Sequence, residues 1–197
     1  MEYIIRELDE YFPGELSKII YEYDRPPRFK YGIDKKKINW NSVSYGYCPE
    51  AVYILMENPD KINYSNLSYG YCAEAVYILR KHLDRINWKH LSHGNCPEAV
   101  QLLRENLDKI YWEYLSYGNC PEAVQLLMEN PYLINWVRLS YGNCPEAVQL
   151  LRENPDKIEW YYLSYGNCTE AVQLLREHPN KIDWDNLSRS KFIYEWV

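Results

Sequence analysis

The chain is written in a period of 24 residues. Cysteines stand at Cys48, Cys72, Cys96, Cys120, Cys144 and Cys168, each 24 places after the last. Isoleucines keep the same step at Ile38, Ile62, Ile86, Ile110, Ile134, Ile158 and Ile182. An aromatic follows each of them two places later: Trp40, Tyr64, Trp88, Trp112, Trp136, Trp160 and Trp184. Serines from Ser44 to Ser188 and glycines from Gly46 to Gly166 do likewise, so that six full units and a partial seventh fit without an insertion. A fixed period of this size marks a repeat architecture, in which a small unit cannot bury its apolar face alone and must stack on its neighbours.

One unit, Asn135 to Asn154, shows the expected local structure. Asn135 offers a side-chain oxygen to cap a short helix beginning at Trp136. Asn39, Asn63, Asn87, Glu159 and Asp183 hold the same place, with Tyr111 as the exception. Trp136 and Leu139 are three apart and share one helix face. Gly142 is a helix stop, because a left-handed backbone costs glycine nothing. Asn143-Cys144-Pro145-Glu146 then reads as a second helix start, with Asn143 as cap and a glutamate three places on. Ala147, Val148, Leu150 and Leu151 give the spacing of a buried stripe, and Asn154-Pro155 ends the helix. The spacing predicts a pair of helices per unit, about two and three turns long. The fold class expected is an all-α solenoid over residues 37–188, with capping segments at 1–36 and 189–197.

Composition narrows the function. A chain with 47% hydrophobic residues is too apolar for disorder, and a net charge of −6 with pI near 5.3 does not favour nucleic acid as a partner. No run of about 18 uncharged apolar residues is present, so no membrane span is expected. The start, Met1 to Glu7, carries an acid where a signal peptide is basic, which predicts an intracellular, non-secreted protein. Regular spacing puts one cysteine in each unit, too far from its equivalents for a disulfide, so the thiols are expected to be reduced.

Catalytic chemistry finds no foothold. No Cys-x-x-Cys cluster offers a zinc site, and the six periodic glutamates from Glu50 to Glu170 are explained by their place in the first turn of a helix. His93 and Cys96 lie three apart, but the other units carry Tyr45, Tyr69, Tyr117, Tyr141, Tyr165 and Arg189 in place of the histidine. That reads as a substitution in a structural ladder rather than a catalytic dyad. No catalytic residue, cofactor or metal site is therefore expected. A basic segment, Arg25 to Lys37 with Phe29 and Tyr31, reads as a solvated linker, although stacking and phosphate contact are an alternative.

Positions that vary between units point to the surface. The two places after the aromatic vary most, from Asn41-Ser42 to Asp185-Asn186, and are expected to form an exposed ribbon. Between residues 111 and 162 this ribbon becomes apolar, with Tyr111, Tyr114, Val137, Tyr161 and Tyr162 beside Arg138. There too Tyr132-Leu133 replaces the charged pair seen at Asp60-Lys61, Asp108-Lys109 and Asp156-Lys157. Exchanging a solvated charge pair for an aromatic and a leucine points to a compensating contact, so these eight residues are the candidate protein-binding or self-association patch. The tyrosine row (Tyr45 to Tyr165) and the glutamines Gln101, Gln125, Gln149 and Gln173 are expected to be internal ladders. The change from Tyr47 and Tyr71 to asparagines, and from Tyr53 and Tyr77 to glutamines, sets the first two units apart.

The Ile-Asn-Trp-x-x-Leu-Ser pattern over residues 37–188 resembles the short helical repeats of giant DNA viruses, which often follow an F-box-like segment. This chain departs from the pattern in carrying Gly-Asn-Cys-Pro or Gly-Tyr-Cys-Pro where relatives have Asn-Pro. The resemblance implies a helical scaffold acting in a host cell, with no common chemistry. At the N-terminus, Phe12 to Tyr23 resembles the opening of an F-box, with Pro13, Glu15, Leu16, Ile19 and Ile20 as the helix that recruits ubiquitin-ligase machinery. Arg25-Pro26-Pro27 interrupts the place of its further helices, so a plain cap is the competing reading. Three functions follow: a protein-binding scaffold, a ligase substrate adaptor, or a self-assembling structural protein of a virus particle.

Overall fold

The computed structural model describes residues 37–190. Among the described residues there are 13 α-helices and no strands. Numbered in chain order, the short helices are α1 (Trp40–Val43), α3 (Tyr64–Leu67), α5 (Trp88–Leu91), α7 (Trp112–Leu115), α9 (Trp136–Leu139), α11 (Trp160–Leu163) and α13 (Trp184–Leu187). The long helices are α2 (Pro49–Met56), α4 (Ala73–Arg80), α6 (Pro97–Arg104), α8 (Pro121–Met128), α10 (Pro145–Glu153) and α12 (Thr169–Glu177). Each long helix packs on the next, giving the α-solenoid that the period implies. The N-terminal capping segment at 1–36, with the Phe12–Tyr23 stretch of Pro13, Glu15, Leu16, Ile19 and Ile20 and most of the basic linker, lies outside the described residues, as does the C-terminal segment beyond Ser190.

The helices are shorter than their spacing predicts. The short ones have 4 residues and the long ones 8 or 9. The missing length becomes a 3-10 turn between each long helix and the next unit, as at Pro59–Lys61, Leu107–Lys109, Pro131–Leu133 and Pro155–Lys157. A proline or leucine begins each such turn, where a lost backbone donor does no harm.

Local signals explain the ends. Asn39, Asn63, Asn87, Asn135 and Asp183 each accept the backbone N–H three residues on, at 2.9–3.2 Å. Glu159 does not share this role, and α11 starts, like α7 behind Tyr111, without a side-chain cap. The long helices also correct the sequence reading: their N-cap is the cysteine, Cys144 in α10, with no side-chain bond to the helix. Asn143 turns away and donates instead to Tyr117 O and Asn119 Oδ1 of the preceding unit, at 3.1 and 2.8 Å.

The glycine stop has two causes. Gly94 has φ of +56°, and a Cβ there would come within 3.1–3.3 Å of Leu115, Val100 and Ala123. The chain turns left-handed at the point where the next unit presses closest.

The core is one continuous column. Ala147, Val148, Leu150 and Leu151 of α10 are buried with Leu139 of α9, and every unit from α3 onward repeats the pattern, while the first buries only Val52 and Leu55 of these positions. Each fully buried leucine contributes about 1.5–3 kcal/mol by leaving water. The periodic serines clamp this column. Ser116, fully buried, donates to Trp112 O at 2.8 Å and accepts the backbone N–H of Asn135 at 2.9 Å. The same double role recurs from Ser44 to Ser164. A hydroxyl supplies one donor and an acceptor, which is what a buried carbonyl and a buried N–H from neighbouring units require.

Candidate binding surface

The tyrosine row forms a ladder, as the sequence implies. Rings of Tyr45, Tyr69, His93, Tyr117, Tyr141 and Tyr165 follow one another with centroids 5.4–5.7 Å apart. Packed helices stand about 8–10 Å apart, so the rings lean towards one another to make this contact. Beside it runs a second row. Tyr47 and Tyr71 lie 4.7 Å apart in the first units, and Asn95, Asn119, Asn143 and Asn167 continue it with amide bonds of 2.8–3.0 Å. Each asparagine also donates to a backbone carbonyl of the unit before, which explains why tyrosine gives way to an amide along this line. The glutamines do not join such a ladder. Gln101, Gln125, Gln149 and Gln173 are exposed, and Gln101 and Gln149 bond within their own helices to Glu105 and Glu153.

The variable ribbon divides in two. Its first place is exposed in most units, including Lys89, Glu113, Val137 and Tyr161. Its second place is not free surface but a tie to the preceding unit. Asn66 and Asn186 donate to Asn41 O and Tyr161 O, and His90 Nδ1 donates to Ser65 O at 2.8 Å. Arg138 holds Glu113 through Nε at 3.0 Å and donates to the Tyr117 hydroxyl at 2.5 Å.

The eight candidate residues accordingly fall into groups. Tyr114, Arg138, Tyr161 and Tyr162 join the ladder: Arg138 stands 5.0 Å from the rings of both Tyr114 and Tyr117, and Tyr162 lies 5.1 Å from both Tyr141 and Tyr161. Val137 is exposed on α9, and Tyr111 is exposed at the start of α7. Tyr132 and Leu133 sit elsewhere, on the 3-10 turn between α8 and α9.

That turn carries the most open apolar surface. Tyr132 is 99% exposed, Leu133 45% and Met128, at the end of α8, 54%. Leu83 and Leu107, which hold the place of Pro131 in the two preceding turns, are exposed as well. Met128 was not foreseen, yet its column carries a signal. The arginines at its place form a ladder, Arg80 to Glu105, Arg104 to Glu129 and Arg152 to Glu177, each at 2.5 Å. Met128 removes that rung in the same unit in which Tyr132-Leu133 removes the acid-base pair, intact as Asp60–Lys61, Asp108–Lys109 and Asp156–Lys157.

The thiols from Cys72 to Cys168 are held in their neutral form. Burial pushes Cys72, Cys96 and Cys144 up to about 12 and Cys120 up to about 11. All six cysteines are free. The His93 ring belongs to the ladder, between Tyr69 and Tyr117, and the thiol of Cys96 is too weakly acidic to form a thiolate pair with it. Among the described residues no His, Cys, Asp or Glu group is placed to hold a metal ion, and no helix is long and apolar enough to cross a membrane. No protein-family model matches the chain, and neither the curated proteins nor the solved structures give a significant match.

Proposed function

We propose that the chain is a non-enzymatic scaffold that binds another protein, with the turn at Met128, Tyr132 and Leu133 as its contact. The observation that carries this reading is Tyr132, 99% exposed on a turn whose equivalents are charged. A solenoid spreads rigid surface over several units, and local side-chain changes on one unit alter recognition without touching the core. Tyrosine, leucine and methionine together offer area at little entropic cost, which suits a protein contact. The resemblance of residues 37–188 to giant-virus repeats supports a viral protein acting on host proteins in the cytoplasm. The F-box-like stretch around Pro13 and Leu16 supports a ligase adaptor as the second reading.

An affinity capture from cell lysate tests both. The full chain is compared with Tyr132→Asp/Leu133→Lys, which restores the pair seen in neighbouring turns, and with a chain lacking residues 1–36. A partner lost with the double substitution, at unchanged helical content, supports the scaffold. Ligase components lost only with residues 1–36 support the adaptor, and capture of the chain by itself alone transfers the turn to self-assembly. Unchanged capture by every variant removes the turn from consideration.

A further inference from the structure

A second surface stands apart from the turn and shares no residue with it. Beside the tyrosine ladder, three nitrogen bases surround one ring. Lys89 Nζ is 4.9 Å from the centroid of Tyr114, Arg138 Cζ 5.0 Å, and the His93 ring 5.2 Å. His90 stacks on the neighbouring Tyr69 at 4.3 Å. Against them stands one carboxylate, Glu113, taken by Arg138. This concentration of positive charge occurs in a chain of net charge −6. The equivalents of Lys89 are Asn41, Ser65, Glu113, Val137, Tyr161 and Asp185, so the fold does not ask for a cation there.

Cation–π attraction at exposed sites offsets little of the mutual repulsion. The cluster burdens His93 in particular. Burial lowers its pKa first, and His90, Arg138 and Lys89 lower it further. The groups facing its ring are Lys89 and His90 of α5, Tyr69 before α4, Tyr114 of α7, Tyr117 behind it, and Arg138 of α9, whose own partner is Glu113. An anion placed among them relieves the repulsion and makes charge-assisted bonds.

We propose that Lys89, His93 and Arg138, gathered around Tyr114, bind an anionic side chain, carboxylate or phosphate, of an acidic polypeptide lying along the tyrosine ladder. The ladder itself favours a polypeptide over a nucleic acid. Its rings are stacked at His93–Tyr117 and Tyr141–Tyr165 but tilted by 36–57° at the other three steps, so the ladder offers no run of parallel faces along which successive bases can stack. Binding tightens as pH falls, because protonated His93 adds a charge beside the anion.

The test uses the full chain, with the imidazole NMR signals of His90 and His93 followed against pH. The probes are a hexaglutamate peptide, a phosphoserine-glycine peptide, inorganic phosphate and an oligothymidylate. Either peptide is expected to raise the His93 pKa by about one unit, a roughly tenfold preference for the protonated ring. The peptide giving the larger rise identifies carboxylate or phosphate as the preferred group, and a weaker effect of inorganic phosphate shows that the polypeptide contributes. Two substitutions keep the fold safe because each is already found at the same place in another unit. Lys89→Glu is expected to weaken peptide binding about tenfold or more, the loss of one close charge pair and its reversal. His93→Tyr is expected to leave binding at neutral pH and erase its pH dependence. The proposal is overturned if neither peptide moves His93, if Lys89→Glu binds as well as the wild type, or if oligothymidylate binds the cluster more tightly than both peptides.

Discussion

The seam between units and the ridge of turns obey different rules. On the seam, Ser116, Gly118, Leu115 and Asn119 each answer a group of the adjacent unit: a backbone N–H, a close approach, a packed column, an amide. The serine and glycine of the full units do not drift at all, and the asparagine gives way only to the paired rings of Tyr47 and Tyr71. On the ridge, the rungs Arg104–Glu129 and Asp108–Lys109 are solvent-exposed and worth little singly. The chain can therefore exchange them for Met128, Tyr132 and Leu133 at almost no cost in fold. Identity between units reports structure here, and departure from it reports surface available for use.

The sharpest way to break this contrast is on the seam. Leu139→Ala, in the fully buried column, should cost about 2–5 kcal/mol, read as a fall in the urea midpoint. Ser116→Ala should cost about 1–3 kcal/mol, since the Asn135 N–H is left buried without its acceptor. If either proved neutral, the seam would not be what holds the period.

Cysteine labelling probes the same column without mutation. In the native protein Cys48, which is exposed, should react rapidly with iodoacetamide near pH 8. Cys72, Cys96 and Cys144, pushed up to about 12, should react only on unfolding. Mass spectrometry of the labelled chain gives the order.

Ridge changes should be smaller. Met128→Arg gives Glu153, now bonded to Gln149, an arginine partner as well and should add about 0–1 kcal/mol. It should also make stability more acid-sensitive. The arginines beside Glu105, Glu129 and Glu177 hold those carboxyls below the ordinary value of 4.5. Their contribution is full above that value and fades as pH falls through the lowered ones. A fourth rung should steepen the loss of urea midpoint in that acid range. The smallest effect on stability belongs to Tyr132→Asp/Leu133→Lys, expected to unfold within about 0.5 kcal/mol of the wild type, while losing the partner captured at the turn.

The period made most of the architecture legible: two helices per unit, the buried Ala-Val-Leu-Leu stripe, the glycine stop, the tyrosine ladder. What escaped reading was where polar groups point. Asn143 fits a capping pattern equally well whether its amide bonds forward to its own helix or back to Tyr117, and only the stack decides. Ser116 is visible as a repeated residue, but the N–H it receives lies 19 residues downstream. Helix length was overestimated because a 3-10 turn and a helical turn share the same residues at this scale. Of the candidate surface, Tyr132 and Leu133 stood out by contrast with Asp-Lys, whereas Met128 needed the arginine column as a reference. Lys89 and His93 needed the fold itself, which brings them to Arg138 across two units.

The serine clamp has a direction. In every instance the acceptor belongs to the earlier unit and the N–H to the later one, from Ser44 and Asn63 through Ser164 and Asp183. A chain leaving the ribosome presents its N-terminal end first. For this bond each newly made unit therefore finds its acceptor already translated. Synthesis and assembly run the same way for this bond, so a pause after a whole unit leaves a serine acceptor rather than a backbone N–H open at the seam, and the arginines Arg80, Arg104 and Arg152 are the donors that await the next unit.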